Sequence, residues 1–465
     1  MTAAHIWVLF PALLGLLLLT LQKNRALVIS LASSFTLAIS LLAAWMPIGE
    51  AVNIGSLRAQ IEPTFTVLGR QFILSNGDRT FLTLIYGLGA VWFLASGFTL
   101  AQRFFIPMGL MMIASLVAAF AVEPFFYAAL LVEIAVLLSI PFISSPGTGV
   151  KTGVQRYLIF QTLGMPFILL AGWLLGVGEA NPADIMFQAR AAIFLGLGFA
   201  FWLAVFPFHS WMPLLTREVH PFPAGFVLSL LPTSVLLLML DFLNAFGWLR
   251  ASPQLYGVLL NVGALMAVAG GLFAAAQKEI SRLVGYAVIF QTGYALIAIG
   301  LNSVEGLLTF AGALLPGLLG VIVFVIALSV LANQDVGFQY ADLRGLFRRY
   351  PFAAIALLAA YASIGGLPLF AGFPVRQETL ELLAEESFLL SAWAAIGSLA
   401  FLAGGARLLT VFVTSEQTDW MIFETWPQRI LLLTGTVFLV LFGVFPRTFM
   451  SAILFILRSF PILLQ

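Results

Sequence analysis

Glu133 stands in the apolar run Ala-Leu-Leu-Val-Glu-Ile-Ala-Val-Leu-Leu, residues 129–138. A carboxylate there is costly, so it is normally paired, hydrated or used. Its charge can come and go, which is what a proton relay or an electrostatic switch requires. The plainer reading is a structural carboxylate bonded to a neighbouring helix. Two further ionisable groups belong to Pro-broken apolar runs. His209 falls in Phe-Pro-Phe-His-Ser-Trp-Met-Pro, residues 206–213. It can titrate or bond carbonyls freed by the break, and structural service is the more ordinary role. Arg376 follows Gly-Gly-Leu-Pro-Leu-Phe-Ala-Gly-Phe, residues 365–373. Arginine is effectively always protonated, so it sets a field or anchors a carboxylate rather than carrying a proton. Glu378 and Glu381 follow at helical spacing and are candidate partners for it. An interfacial Arg–Glu cluster is the competing reading.

Supporting polar groups are neutral or peripheral. Thr233, Ser234 and Gln291, with Gln161 and Thr292, can order water inside apolar runs. Glu123, ten residues before Glu133, falls near the opposite membrane edge and reads as an interfacial cap. Asp241 falls near a span end and reads as interfacial. Arg407, in Gly-Gly-Ala-Arg-Leu-Leu, snorkels or bonds to a neighbouring helix. Arg217, Glu218 and His220 read as a solvated turn.

The chain that must position these groups is 465 residues long, 62% hydrophobic and only 9% charged. Soluble domains carry about 25% charged residues, so this composition calls for lipid. Net charge is +1, which argues against a nucleic-acid partner. There is no cysteine, which removes disulfides, thiol chemistry and iron–sulfur ligation. His5, His209 and His220 are too few for a multi-histidine haem or metal site. No cofactor is expected in this chain.

Spans of about 20 apolar residues are expected at 5–21, 26–45, 79–99, 104–122, 124–145, 155–178, 188–207, 223–247, 254–276, 280–301, 306–332, 351–371, 388–413 and 429–446. The fold class is all-α and polytopic, with about fourteen transmembrane helices. The N-terminus lacks the basic region of a signal peptide, so 5–21 reads as a retained first span. Odd-numbered loops hold twelve Lys or Arg and even-numbered loops six, which puts the odd loops in the cytoplasm and both termini outside. Within the loop 46–78, alternation from Thr64 to Leu74 and the sequence Ser-Asn-Gly-Asp predict a short hairpin. The tail after 447 lies along the interface or packs on a neighbour.

The two Pro-containing segments interrupt spans seven and twelve. Broken helices are tolerated in lipid only where protein or water satisfies the freed backbone. Matched breaks in two halves point to a transport site. Spans four to eight and nine to thirteen each hold five helices. Because five is odd, the second set runs opposite to the first, with the broken helix fourth in each. The expected units are an N-terminal three-helix segment with an external hairpin, 1–103; a first five-helix repeat, 104–248; an inverted second repeat, 249–413; and a C-terminal helix with an interfacial tail, 414–465.

Residues 195–226, with Gly-Leu-Gly-Phe, Phe-Pro-Phe-His-Ser-Trp-Met-Pro and Pro-Ala-Gly-Phe-Val, resemble the antiporter-like membrane subunits of respiratory complex I (NADH:quinone oxidoreductase) and of the Mrp cation/proton antiporters. So do Lys-Glu-Ile-Ser-Arg-Leu-Val-Gly-Tyr with Gln-Thr-Gly-Tyr at 278–294, and the stretch from Ala-Asp-Leu-Arg-Gly-Leu to Leu-Pro-Leu-Phe-Ala-Gly-Phe-Pro-Val-Arg at 341–376. The resemblance spans roughly 60–415 and marks a divergent member. It implies fourteen helices, two inverted five-helix units and a buried line of ionisable groups that moves protons within a larger complex.

By that resemblance Glu133 matches a fifth-helix glutamate that pairs with a lysine on helix seven. The lysine position, five residues before Pro207, holds Trp202. The eighth-helix Lys or His region holds Thr233, Ser234 and Val235. The tenth-helix histidine position holds Gln291, and Pro316 falls where many members have a histidine. Arg376 matches the terminal Lys or Glu of the relay.

The expected function is therefore that of a membrane-arm subunit of a complex I-like oxidoreductase, contributing to proton translocation with much of the usual relay missing. The alternatives are a non-conducting scaffold subunit and an Mrp-type cation/proton antiporter subunit. An independent small-solute carrier is weaker, because the second break lacks an evident substrate-binding pair. Implied partners are other membrane subunits, the bilayer, and protons or Na⁺. The expected location is the bacterial inner membrane or an equivalent energy-transducing membrane. Redox chemistry, if present, belongs to partner chains.

Overall fold

The computed structural model describes residues 1–54, 57–67, 69–99, 102–144, 149, 151–180, 185–414 and 420–464. Long apolar runs become helices because lipid offers no partner for backbone polar groups. In chain order the helices begin with α1 (His5–Thr20), α2 (Arg25–Trp45), α3 (Arg79–Ala95), α4 (Phe105–Ala121), α5 (Ala128–Ile143), α6 (Thr152–Ala180) and α7 (Ile185–Trp202). There follow α8 (Trp211–Glu218), α9 (Pro221–Ala245), α10 (Gly247–Arg250), α11 (Pro253–Ala276), α12 (Ile280–Gly300) and α13 (Val304–Ala332). The last are α14 (Leu346–Arg349), α15 (Pro351–Gly365), α16 (Phe373–Glu386), α17 (Phe388–Val413), α18 (Trp426–Val444) and α19 (Pro446–Leu454). Ten of these helices are long and apolar enough to cross a membrane, and α1, α4, α7 and α15 are shorter apolar helices. The chain is an integral membrane protein.

Local signals set the boundaries. Asn24, Ser303 and Ser387 accept the N–H three residues ahead and start α2, α13 and α17. His220 is not a solvated turn residue. Its Nδ1 accepts the Phe222 N–H and starts α9. Gly366, at φ +80°, closes α15 in the left-handed conformation that glycine adopts without strain.

Burial separates a central column from a lipid-facing shell. In α9 and α12 the most apolar stretch is 89% buried, whereas in α18 it is 17% buried. Most of the exposed side chains of α17 and α18 are themselves apolar, among them Leu399 and Ile430.

Contacts among the loops sort into two ends. At one end Lys151 bonds the Glu218 carbonyl at 2.6 Å, and the Glu218 carboxylate accepts the Gly153 N–H at 2.6 Å. There Arg217 and Arg282 both meet Glu279, and the Tyr340 N–H reaches the Lys278 carbonyl. The turn after the first break is thus fastened rather than merely solvated. At the other end lie the termini and the strands β1 (Ala51–Ile54), β2 (Leu57–Gln60), β3 (Thr64–Val67), β4 (Arg70–Ile73) and β5 (Val122–Glu123). The expected hairpin is the antiparallel pair β3–β4, and β1–β2 is a second, unforeseen one. Glu62 bonds the backbone of Met1 and Ala3, and Ile462 bonds Asn244. The tail is not a free interfacial strip, since Phe460 packs on Phe120 and is buried.

Small residues bring α11 and α17 into contact. A β-carbon at Gly271 would collide with the Gly397 carbonyl, whereas at Gly257 on the same helix it would meet nothing within 4 Å. Gly271→Val should therefore force the helices apart, at about 1–3 kcal/mol or more for overpacking. Thermal unfolding in detergent should show a clear fall in Tm for this variant and little change for Gly257→Ala.

Candidate functional site

Both expected breaks exist. The first separates α7 from α8. After Trp202 the chain turns through Ala204, whose φ of +53° is left-handed and strained for a residue with a β-carbon. The Val205 N–H returns to the Ala200 carbonyl, a short 3₁₀ turn spans Phe208–Ser210, and α8 begins. The second separates α15 from α16 and contains Leu369 at φ +77°. At about 1.5 Å per residue, neither α15 nor α16 reaches across about 30 Å of hydrocarbon.

At the first break His209 lies among aromatic rings. Its ring stacks on Phe206 at 4.7 Å and lies parallel to Phe273 at 5.9 Å. Nearby, Glu133 accepts a hydrogen bond from Thr162 Oγ1 at 2.8 Å, and its second oxygen is buried without a hydrogen-bond partner. Trp202 is fully buried. Its Nε1 donates to the Gln161 carbonyl at 3.0 Å, and the Gln161 amide donates to the Trp202 carbonyl at 3.3 Å. Gly164 makes room for the indole, because a β-carbon there would collide with it.

The second break opens onto a cavity among α9, α12, α13, α15 and α16, with about 100 Å³ available to the centres of water molecules. One water needs about 10–15 Å³ by that measure, so several fit. Thr233, Gln291, Thr292, Ser363 and Arg376 line it. Thr233 donates to the Ser229 carbonyl at 2.7 Å and Gln291 to the Gly317 carbonyl at 3.3 Å. Each keeps acceptor oxygens for water. Pro232 and Pro316 also line the cavity and remove two helical N–H groups.

Arg376 ties the break to its surroundings. Its Nη2 donates to the Ile364 carbonyl at 2.8 Å, near the C-terminal end of α15. The guanidinium stands 3.5 Å over the Tyr294 ring and 4.6 Å from the Phe290 ring. Tyr294 in turn bonds the Ala394 carbonyl and Ser398 on α17.

The structure thus gathers Thr233, Gln291 and Arg376 at one cavity, while His209 sits at the first break and Glu133 on α5 is bonded to Thr162 of α6. Ser234 is buried on α9 but does not line the cavity. Glu378 and Glu381 do not pair with Arg376: both are exposed, and Glu381 accepts from Gln377. The arginine turns inward onto aromatic rings instead. Glu123, read as an interfacial cap, is a strand residue opposite Gln71. Asp241, in the last turns of α9, is buried. Arg407 bonds the Ala275 carbonyl on α11 and faces the Tyr340 ring. Tyr294, Ser363, Thr309 and Thr379 also line the cavity and were not anticipated; only the nearby intrahelical prolines hinted at them.

Residues 174–402 match the family profile described as NADH:quinone oxidoreductase/Mrp antiporter, TM. NADH-quinone oxidoreductase subunit N of Cereibacter sphaeroides is 30% identical over 322 residues, covering 64% of this chain and 67% of that protein. The chain belongs to the antiporter-like membrane subunit family. Matches to curated relatives span from 38% to 76% of their lengths. This antiporter-like subunit also shares its fold with a chain of the membrane-bound sulfane sulfur reductase, an archaeal respiratory membrane complex: TM-score 0.85 at 17% identity, covering 100% of this chain and 98% of that one. The Mrp complex from Dietzia sp. DQ12-45-1b gives 0.83 at 16% identity, covering 100% and 99%.

Proposed function

We propose that this antiporter-like subunit works in the membrane arm of a complex I-like or Mrp-like assembly, beside other membrane subunits. It contributes to proton translocation without a continuous titratable relay of its own. The observation that carries this reading is the water-sized chamber at the second break, bounded by neutral hydroxyls and the fixed cation Arg376. Water ordered there can pass a proton between neighbours, while Arg376 sets the local field. Glu133, with one oxygen bonded to Thr162, is the titratable candidate in the first half. Residues 104–248 and 249–413 act as two oppositely directed five-helix units. The Lys- and Arg-rich odd loops face the cytoplasm, so both termini lie on the other side.

Glu133→Gln keeps the hydrogen-bond shape and removes the charge. In proteoliposomes holding the whole assembly it should lower proton pumping or antiport several-fold. Unchanged transport would support the second reading, a scaffold that keeps the fold without conduction. The buried Trp202–Gln161 exchange favours that alternative, because it fills the place of a relay lysine with an indole.

A further inference from the structure

Arg376 brings a fixed positive charge to the chamber at the second break, and no carboxylate answers it. Neither ion pair among the described residues includes it, and the titratable group that bears on its charge is the Tyr294 phenol. The Ile364 carbonyl and the ring faces of Tyr294 and Phe290 offset part of that charge. None of them carries a net negative charge. An ionised group inside a membrane protein is normally paired, and an unpaired one in a low-dielectric interior is costly. Water in the chamber hydrates the guanidinium but leaves its charge in place. An anion removes it.

Free hydrogen-bond donors meet in the same space. Thr292 lines the chamber and is only 3% exposed, yet its hydroxyl makes no hydrogen bond among the described residues. The Ser363 oxygen accepts the Gly372 N–H at 3.2 Å, which leaves its own proton to donate. Gln291 spends one amide proton on the Gly317 carbonyl and keeps a second. Thr233, Thr309 and Thr379 differ, because each has given its proton to a carbonyl one turn back. The start of α16 adds to the field. Gly372, Val375 and Arg376 all line the chamber, and the unpaired N–H groups of a helix start favour negative charge. A metal cation is the wrong occupant beside a fixed guanidinium, since like charges repel.

We infer that the chamber binds one monovalent anion of the halide class, held at the Arg376 guanidinium with the Thr292 and Ser363 hydroxyls and the Gln291 amide as its other donors. One negative charge matches the one uncompensated positive charge. Room for several waters lets the ion keep part of its hydration. The inference does not rest on the transport reading: an anion at Arg376 neutralises a buried charge whether or not protons pass.

The probe is radiolabelled chloride, added to the purified full chain in detergent with gluconate as the background anion. The expected result is one saturable site per chain, displaced by bromide and not by gluconate. Arg376→Met should abolish it, and Arg376→Lys, which retains a cation, should keep part of it. Thr292→Val holds the shape and leaves the guanidinium in place. It should weaken binding about ten-fold or more, the loss expected for one hydrogen bond to a charged group. Arg458→Gln, at an exposed arginine of the tail, should bind as the parent does. Exchanging gluconate for chloride at constant ionic strength should raise the Tm of the parent and leave that of Arg376→Met unmoved. Should Arg376→Met not fold, Thr292→Val and Ser363→Ala carry the test. Absence of saturable chloride binding by the parent, or binding that none of these chamber variants changes, overturns the site. Binding lost in Arg376→Met but unmoved in Thr292→Val overturns the hydroxyl contact. Neither measurement reads proton transport, so failure here and failure of the transport reading are told apart.

Discussion

Trp202→Ala should cost about 3–5 kcal/mol of stability, the range for truncating a buried Trp or Phe. The indole is fully buried, contacts Phe199 edge-on and donates to the Gln161 carbonyl at 3.0 Å. Removing it opens a void between α6 and α7 at the point where α7 ends. The Gln161 carbonyl loses the indole donor but stays within the α6 hydrogen-bond ladder, so lost packing carries most of that cost. Gly164, directly against the indole, has no side chain with which to fill the gap. The measurement is thermal unfolding in detergent, with Trp202→Phe as the comparison. Phenylalanine keeps much of the volume and loses the donor, so it should fall between the two. A Tm for Trp202→Ala within error of the parent would mean that the indole is not packed as described.

The same site shows how far the amino-acid sequence could be read. Trp202 stands out in the sequence because the resemblance puts a lysine there. That comparison could not reveal its exchange of hydrogen bonds with Gln161 or the vacancy that Gly164 leaves for it. The breaks were legible because Pro and Gly change backbone physics wherever they occur. The fold class was legible because apolar run length is set by membrane thickness. The cavity was not, since Thr233, Gln291 and Ser363 are ordinary polar residues on three separate helices. The pairing of Arg376 with Glu378 and Glu381 was misjudged for a related reason: closeness in sequence gave no account of which way the arginine turns. Tyr294, some eighty residues earlier, supplies the ring face that competes with those exposed carboxylates. The strand at Glu123 was not legible, because β5 is a two-residue strand with no alternating pattern of its own, and its partner β4 lies in a distant hairpin.

Arg376 is where charge and architecture can be separated. Arg376→Met removes a charge-assisted hydrogen bond to the Ile364 carbonyl, worth about 1.5–3 kcal/mol. It also removes a cation–π contact worth about 2 kcal/mol when desolvated. The gain from no longer burying a cation offsets part of this, so a net loss of about 2–3 kcal/mol is expected. Arg376→Lys retains a cation but not the planar fork that reaches Ile364 while covering Tyr294, so its stability should be intermediate. The transport readout is sharper. Arginine stays protonated over the whole accessible range, so the parent assembly should show no pH inflection from this position. A lysine beside the same chamber can lose its proton, because burial favours the neutral amine. Proton transport by the Arg376→Lys assembly should therefore show an additional inflection between about pH 6 and pH 9, absent from both the parent and Arg376→Met. If the three pH profiles coincide, the charge at this position does not couple to proton movement, and the chamber at the second break serves the backbone rather than transport.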